Sequence, residues 1–395
     1  MKKKICITAY DVDPNKGSES ATGWNIPVEL EKLGWDITVY TRKNNQKNIE
    51  ELLLVNNKIK LNFKYFDLPY IFRFWKIKSF GYRVYFFLWQ FFIALHLKFS
   101  KDKFDIYHSL NFHTDLIPNF LWLISDNVVW GPINHRETYK HKKKIFNILF
   151  KVKHSIQFLC WNNPLMKICI KKTKFIIPAH ELVIRRLNLE KNNKNYLVIN
   201  QMATTFQKYY KKKHQKDKII FLSIGRFVEF KKFDLNINFF YQIYKNKPVN
   251  TDIEFLIIGD GVKKTQLIKL VSNLSLDGYV KFFPWQKHYN LKKFYQKSQF
   301  FINFTTETAG LVTAEAMSYG LPVFNNLGTF TADFINMPNY SYSITNQDKV
   351  IDNCIRLMQS ADLYSKESKK FYDIYKNECT WEIKAKLISN IYNKL

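Results

Sequence analysis

The sequence predicts an α/β fold made of two doubly wound parallel-sheet domains, and three observations predict it. The chain has 395 residues, more than the roughly 250–300 at which a single hydrophobic core stops growing. In its first half, short apolar segments of strand length alternate with segments long enough for crossover helices. After a Lys-rich stretch near residues 190–218 the same alternation starts again.

Element by element, strands are expected at Ile5–Ala9, Ile37–Tyr40, Ile59–Phe66, Ile106–Ser109, Val128–Trp130 and Phe175–Pro178. Most are apolar throughout, as strands buried on both faces should be. Ile59–Phe66 alternates instead, with Ile59, Leu61, Phe63 and Tyr65 on one face. A helix is expected over Gly23–Leu33, closed by Gly34. Between 190 and 218 apolar residues thin out and Lys accumulates, which reads as an interdomain connection. Strands then recur at Ile219–Gly225, Phe255–Gly259, Val280–Phe283, Phe300–Phe304 and Leu321–Phe324. Helices are expected between them at Leu235–Tyr244, Gln266–Leu274, Leu291–Lys297 and Gly310–Tyr319. In such folds ligands bind at the carboxyl ends of strands, near the point where strand order reverses.

Composition narrows the class. Five scattered cysteines with no Cys-x-x-Cys pair suggest neither a disulfide framework nor a zinc site. A reducing compartment fits. The opening MKKKICITAY has too short an apolar run for a signal peptide. Val84–Leu97 spans 14 residues and contains Gln90 and His96, short of the about 20 apolar residues a bilayer crossing needs. The formal charge of +28 calls for an anionic partner, or reflects a Lys- and Asn-rich composition filling exposed positions.

Two segments of the second half carry chemistry. In Ser223–Lys231 a strand runs into Gly225, which lets backbone turn closely past a ligand, with Arg226 and Lys231 beside it. Arg offers phosphate a planar fork and Lys a mobile point charge. In Glu307–Glu315, Gly310 opens a helix whose first amides, around Gly310, Leu311 and Val312, suit a diphosphate. Glu307 falls in the loop before it, and Glu315 in its second turn can accept from sugar or ribose hydroxyls. Taken singly, Ser223–Lys231 reads rather as a strand-end turn with two solvated cations, and Glu307 and Glu315 rather as a helix-entry carboxylate and an exposed helix residue.

In order, SIGRFVEFKKFDLNI, IIGDGVKKTQL and NFTTETAGLVTAEAMSYGLPVF resemble the C-terminal half of family 4 retaining glycosyltransferases, which have the GT-B fold. That family has Gly-Arg with a Lys five residues on, an Ile-Gly-x-Gly turn, and two Glu with seven residues between them; all three occur here. The opening TAYDVDPNKGSESATGWNIPVELEKLGWDITVYTR, with LWQ at 88–90, FDIYHSL at 104–110 and VVWGPINH at 128–135, resembles one subgroup of the family. CTWEIKAKLISNIY resembles its closing helix.

The resemblance implies two Rossmann-like domains facing across a cleft: acceptor-binding residues 1–200, nucleotide-sugar-binding residues 201–375, and a closing helix in 376–395 that crosses back to the first domain. It implies that Arg226 and Lys231 hold the donor diphosphate, with Lys231 stabilising the leaving charge without a metal or other cofactor. Glu315 would bind the ribose, Glu307 would lie against the donor sugar, and Gly17 would approach the diphosphate. Transfer of a hexosyl group with retention, to a glycan or lipid-linked acceptor in capsule, O-antigen or lipopolysaccharide assembly, is the activity implied. Three positions depart from the pattern. Lys232 stands where Gly is usual, Asn134 and His135 follow Gly131-Pro132 where relatives have glycines, and neither His108 nor His113 aligns cleanly with a functional His. His113 is taken as the candidate.

Residues 140–174 combine KHKKK with Ile145, Ile148, Leu149, Val152 and Ile156 at helical spacing, a basic amphipathic pattern suited to an anionic membrane surface. Tyr70–Lys101 adds aromatics mixed with Arg and Lys. The alternative is that both pack apolar faces on the first domain. A cytoplasmic protein, peripheral on the inner face of the membrane, is expected. Two other functions compete: a GT-B sugar-nucleotide epimerase, and a basic nucleic-acid-binding protein, for which no binding module is seen.

Overall fold

The computed structural model describes residues 3–56, 58–73, 81–135, 155, 157–209, 218–306, 310–343 and 345–395. Its contacts divide the chain into two units: Met1–Gln201 with Lys384–Leu395, and Met202–Ile383.

The first unit holds six parallel strands: β1 (Lys4–Thr8), β2 (Asp36–Thr41), β3 (Asn62–Tyr65), β4 (Ile106–Ser109), β5 (Val128–Ile133) and β6 (Phe175–Pro178). They lie in the order β3-β2-β1-β4-β5-β6. Order therefore reverses between β1 and β4, which opens a crevice at their carboxyl ends. The central strands are apolar and buried on both faces, as in β1 with Ile5, Cys6 and Ile7. β3 is shorter than the alternating pattern suggested. Only Asn62–Tyr65 pairs with β2, and no residue of this edge strand is fully buried.

The second unit repeats the plan with β7 (Lys218–Ile224), β8 (Asp252–Ile258), β9 (Val280–Phe283), β10 (Phe300–Asn303), β11 (Val323–Asn326) and β12 (Ser341–Tyr342). The order β12-β11-β10-β7-β8-β9 is the first sheet's order counted from the unit's own first strand. Its reversal falls between β7 and β10. The core is aromatic: Phe221 stacks on Phe300 at 5.1 Å, and Phe239 meets Phe304 and Phe324.

Helix boundaries differ in one instructive place. The first helix runs Ser18–Lys32, starting five residues before the apolar stripe, because Gly17 sits at its N-cap and the polar Ser-Glu-Ser turn is already helical. The apolar stretch near 84–97 lies in the helix Tyr82–Phe99, which buries Tyr85, Phe86, Trp89, Ile93 and Leu97 in the first unit's core. Among the described residues no helix is long and apolar enough to cross a membrane. Of the amphipathic stretch, Ile145, Ile148, Leu149, Val152 and Ile156 lie outside the described residues. The closing helix Trp381–Asn393 joins the first unit from Lys384 on. There the Trp35 indole donates to Ser389, and Tyr392 meets the buried His108.

Candidate functional site

The second unit's crevice is built by the loops that follow β7 and β10. After β7 the chain turns at Gly225, exposes Arg226, and forms a short turn over Glu229–Lys231. This loop is strapped to the one after β8: Phe227 N–H donates to Asp260 at 2.9 Å, and Lys263 N–H donates to Phe227 at 3.0 Å. The straps explain the Ile-Gly-x-Gly turn. A Cβ on Gly259 would lie 1.9 Å from the Gly225 carbonyl oxygen, so only glycine lets the two backbones meet.

Lys232 occupies the left-handed region, with φ 51° and ψ 40°. That geometry explains why glycine is favoured at this place; here a Lys holds the same turn and pairs with Glu229 at 3.1 Å. Glu229 also meets Lys263 at 2.7 Å, and these partners, Lys263 first, hold its carboxyl below the usual range.

The β10 side is tied to the β7 side. Thr306 N–H donates to the Phe230 carbonyl at 3.0 Å, and the Thr306 hydroxyl donates to it at 3.1 Å. Beneath them the buried Asn236 donates to Ser223 Oγ at 3.2 Å and accepts from Phe304 N–H at 3.1 Å. The helix Leu311–Ser318 then begins with Gly310 at its N-cap and no side-chain cap. Among the described residues no side chain caps its first N–H groups, and a helix start of this kind suits an anion when cations stand near. Arg226, Lys231, Gly310, Leu311 and Val312 thus belong to one switch point. Glu307 lies outside the described residues.

Glu315, one turn into that helix, accepts from the Tyr295 hydroxyl at 2.7 Å and pairs with His288 Nε2 at 3.0 Å. Tyr295 stacks flat on Tyr319 at 5.2 Å. The carboxylate raises the His288 pKa, while burial and then Glu315 push the Tyr295 hydroxyl far up. Two positions on the helix His288–Lys297 therefore orient Glu315. Neither is conspicuous in sequence; the seven-residue interval between His288 and Tyr295, two helical turns, is the only trace.

In the first unit, Gly17 is exposed at the helix start. His113 is 1% exposed, with Nε2 2.8 Å from Ser109 Oγ and its ring between Phe86 and Trp130. Burial lowers its pKa to about 3 and that of His108 to about 4, so both stay neutral. Asn134 and His135 look inward: Asn134 donates to Glu19 at 3.1 Å, and His135 Nδ1 lies 2.7 Å from Asp115. Among the described residues no cluster of three or more His, Cys, Asp or Glu could hold a metal ion.

Residues 206–371 match the family model described as "Glycosyl transferases group 1". The alpha-monoglucosyldiacylglycerol synthase of Acholeplasma laidlawii is 24% identical over 177 residues, covering 45% of this chain and 44% of that protein. The chain thus matches less than half the length of this curated relative. Among solved structures, sucrose-phosphate synthase from Thermosynechococcus elongatus superposes with a TM-score of 0.65 at 16% identity, covering 100% of this chain and 99% of that one. TarM of S. aureus, in complex with Fondaparinux, alpha-GlcNAc-glycerol and UDP, gives a TM-score of 0.60 at 15% identity, covering 99% and 100%. The fold is GT-B.

Proposed function

We propose that the chain is a family 4 retaining glycosyltransferase that moves a hexosyl group from a nucleotide-diphosphate sugar to a glycan or glycolipid acceptor. Assembly of bacterial capsule, O-antigen or lipopolysaccharide is the setting that fits. The observation that carries this reading is the second unit's switch point, where two cations stand beside an uncapped helix start. In the reaction the anomeric carbon–oxygen bond to the diphosphate breaks as the acceptor oxygen bonds on the same face. The acceptor proton passes to the departing diphosphate oxygen. Arg226 and Lys231 stabilise the charge that develops there, an electrostatic role that needs no metal. The N–H groups near Gly310, Leu311 and Val312 share it. Glu315, held by Tyr295 and His288, takes the ribose hydroxyls, and Glu307 lies against the donor sugar. Gly17 leaves room for the diphosphate. His113, enclosed beside Ser109, is the first unit's candidate for a catalytic role.

A lipid-linked acceptor on the inner face of the cytoplasmic membrane is part of the proposal. The exposed Phe158, Leu159, Leu165 and Ile168 beside Lys167, Lys171 and Lys172 support it, as does a relative named for glycolipid synthesis.

The test is a thermal-shift screen of the purified chain against UDP, GDP, ADP, CMP and their sugar conjugates. A native-state ligand raises the melting temperature by mass action, by about 2.7 kcal/mol of stability at a hundredfold excess over Kd. We expect one nucleotide to shift the wild type and to lose that shift in Arg226→Ala. No shift with any nucleotide sinks the reading. Release of an altered sugar with no acceptor present turns it to an epimerase.

A further inference from the structure

The first unit's crevice has chemistry of its own. Order reverses between β1 and β4, and the loops after β1, β4 and β5 converge there with the first turn of the helix Ser18–Lys32. At their centre is the half-buried Glu19. Its Oε2 accepts from Phe112 N–H at 2.9 Å and its Oε1 from Asn134 Nδ2 at 3.1 Å. Asn111 closes the floor, donating to the Asp11 carbonyl at 2.6 Å and the Glu19 carbonyl at 2.8 Å.

Three features set this cluster apart from a structural carboxylate. First, Phe112 holds φ at +69°. An aromatic residue in the left-handed region costs on the order of 1–2 kcal/mol, and strain of this kind concentrates where the backbone must present a group. Here it presents the N–H that meets Glu19. Second, Gln201 is 5% exposed and accepts from Asn134 at 2.5 Å, while its own Nε2 has no hydrogen-bond partner among the described residues. The Gln201 amide lies against the Glu19 carboxylate and partly offsets the effect of burial without reaching hydrogen-bond geometry. A buried donor left over beside a built polar cluster points to a missing partner. Third, burial, with Asp11 adding to it, raises the Glu19 carboxyl to about 7. A carboxylate has about four acceptor positions; Phe112 and Asn134 take two and the Gln201 amide lies against the carboxylate, which leaves at least one.

We propose that this cluster is a hydroxyl-reading site for a sugar or polyol ring, Glu19 accepting a ring hydroxyl hydrogen and Gln201 Nε2 donating to an oxygen of the same ring. It rests on the glycosyltransferase reading for the identity of the ring, which is either the donor's sugar or an acceptor's. The site differs in chemistry from the cationic crevice: it offers a carboxylate and side-chain amides, groups that suit neutral hydroxyls.

The experiment uses the full chain with glutamate carboxyl-13C label, the Glu19 resonance being assigned by its loss in Glu19→Gln. Methyl α-glucoside, methyl α-galactoside, glycerol, UDP and UDP-glucose are titrated in turn. We expect the resonance to move saturably with a methyl glycoside or glycerol if an acceptor ring sits there. It moves with UDP-glucose beyond the change UDP causes if the donor sugar does. Affinity for the ring that moves it should fall about tenfold in both Glu19→Gln and Gln201→Leu, with UDP affinity unchanged. A resonance that no sugar or polyol moves overturns the proposal, as does full sugar affinity in both folded variants. Failure of UDP and every other nucleotide to bind would defeat the donor reading yet leave the methyl glycoside arm to decide this one.

Discussion

The two units share one strand order and differ in what they place at its reversal. The second unit sets Arg226, Lys231 and an uncapped helix start between β7 and β10. The first sets Asp11, Glu19, Asn111 and Asn134 between β1 and β4. The helix that follows each first strand carries an acid in its first turn, Glu19 in one and Asp234 in the other, but the caps differ, Gly17 against Lys232. Topology therefore fixes where a ligand can sit, and side chains decide which ligand. A cationic crevice suits a diphosphate, and a carboxylate–amide crevice suits hydroxyls.

The sharpest way to break this contrast is Lys231→Ala. Removing one preorganised charge from a leaving-group site costs about 10²–10³ in turnover. Steady-state kinetics with the nucleotide sugar found by the screen should show that fall in kcat, with a melting temperature near the wild type's. A kcat within twofold of wild type would mean the second crevice is not where charge develops.

A smaller effect sharpens the first unit's side. A Glu19 carboxyl raised to about 7 against an unfolded value of about 4.3 binds more protons folded than unfolded between those values. Its contribution to stability is therefore full below about pH 4 and is lost as pH rises through 7, with a slope of at most about 1.4 kcal/mol per pH unit. The neutral His108 and His113, lowered to about 4 and 3, act in the opposite sense. The wild-type minus Glu19→Gln difference in urea unfolding, measured from pH 5 to 8, isolates Glu19. A flat difference would place its carboxyl in the ordinary range.

The smallest effect concerns Lys232. A non-glycine residue at φ 51° carries on the order of 1 kcal/mol of strain, and its exposed pair with Glu229 returns little. Lys232→Gly should raise the second unit's stability by about 0.5–1 kcal/mol in denaturant unfolding, with nucleotide affinity unchanged. A loss of stability would show that the Glu229 pair outweighs the strain.

Much of this was legible in the sequence because it rests on local signals. Apolar runs bounded by turn residues gave away the central strands, and Gly225, Arg226 and Lys231 sit next to each other in the chain as well as in space. β3 was over-read because alternation marks a half-buried edge but not how many of its residues find a partner. The first unit's crevice was hidden for a different reason. Glu19, Asn111, Asn134 and Gln201 lie on four separate segments, each an ordinary polar residue, and they meet only once the parallel pairing of β1, β4 and β5 sets the strand ends side by side. The same holds for His288 and Tyr295, whose roles appear once the helix carrying them is laid beside Glu315.

The chain has only 12 glycines against 61 Lys and Arg, and it turns several corners without them. Asn188, Asn193, Asn250 and Asn336 take the left-handed backbone positions that glycine fills by default. Glycine codons all begin with two guanines, whereas Asn and Lys codons begin with two adenines, so a gene drifting toward adenine and thymine sheds the former for the latter. Under such drift a surviving glycine needs a reason. For most here the reason is internal, a positive φ or a backbone too near for a Cβ. Gly17 and Gly278 have neither: a Cβ at either would meet nothing within 4 Å, and neither has a positive φ. At those two positions nothing among the described residues calls for glycine, and at Gly17 the open space lies at an exposed helix start, accessible to whatever approaches it.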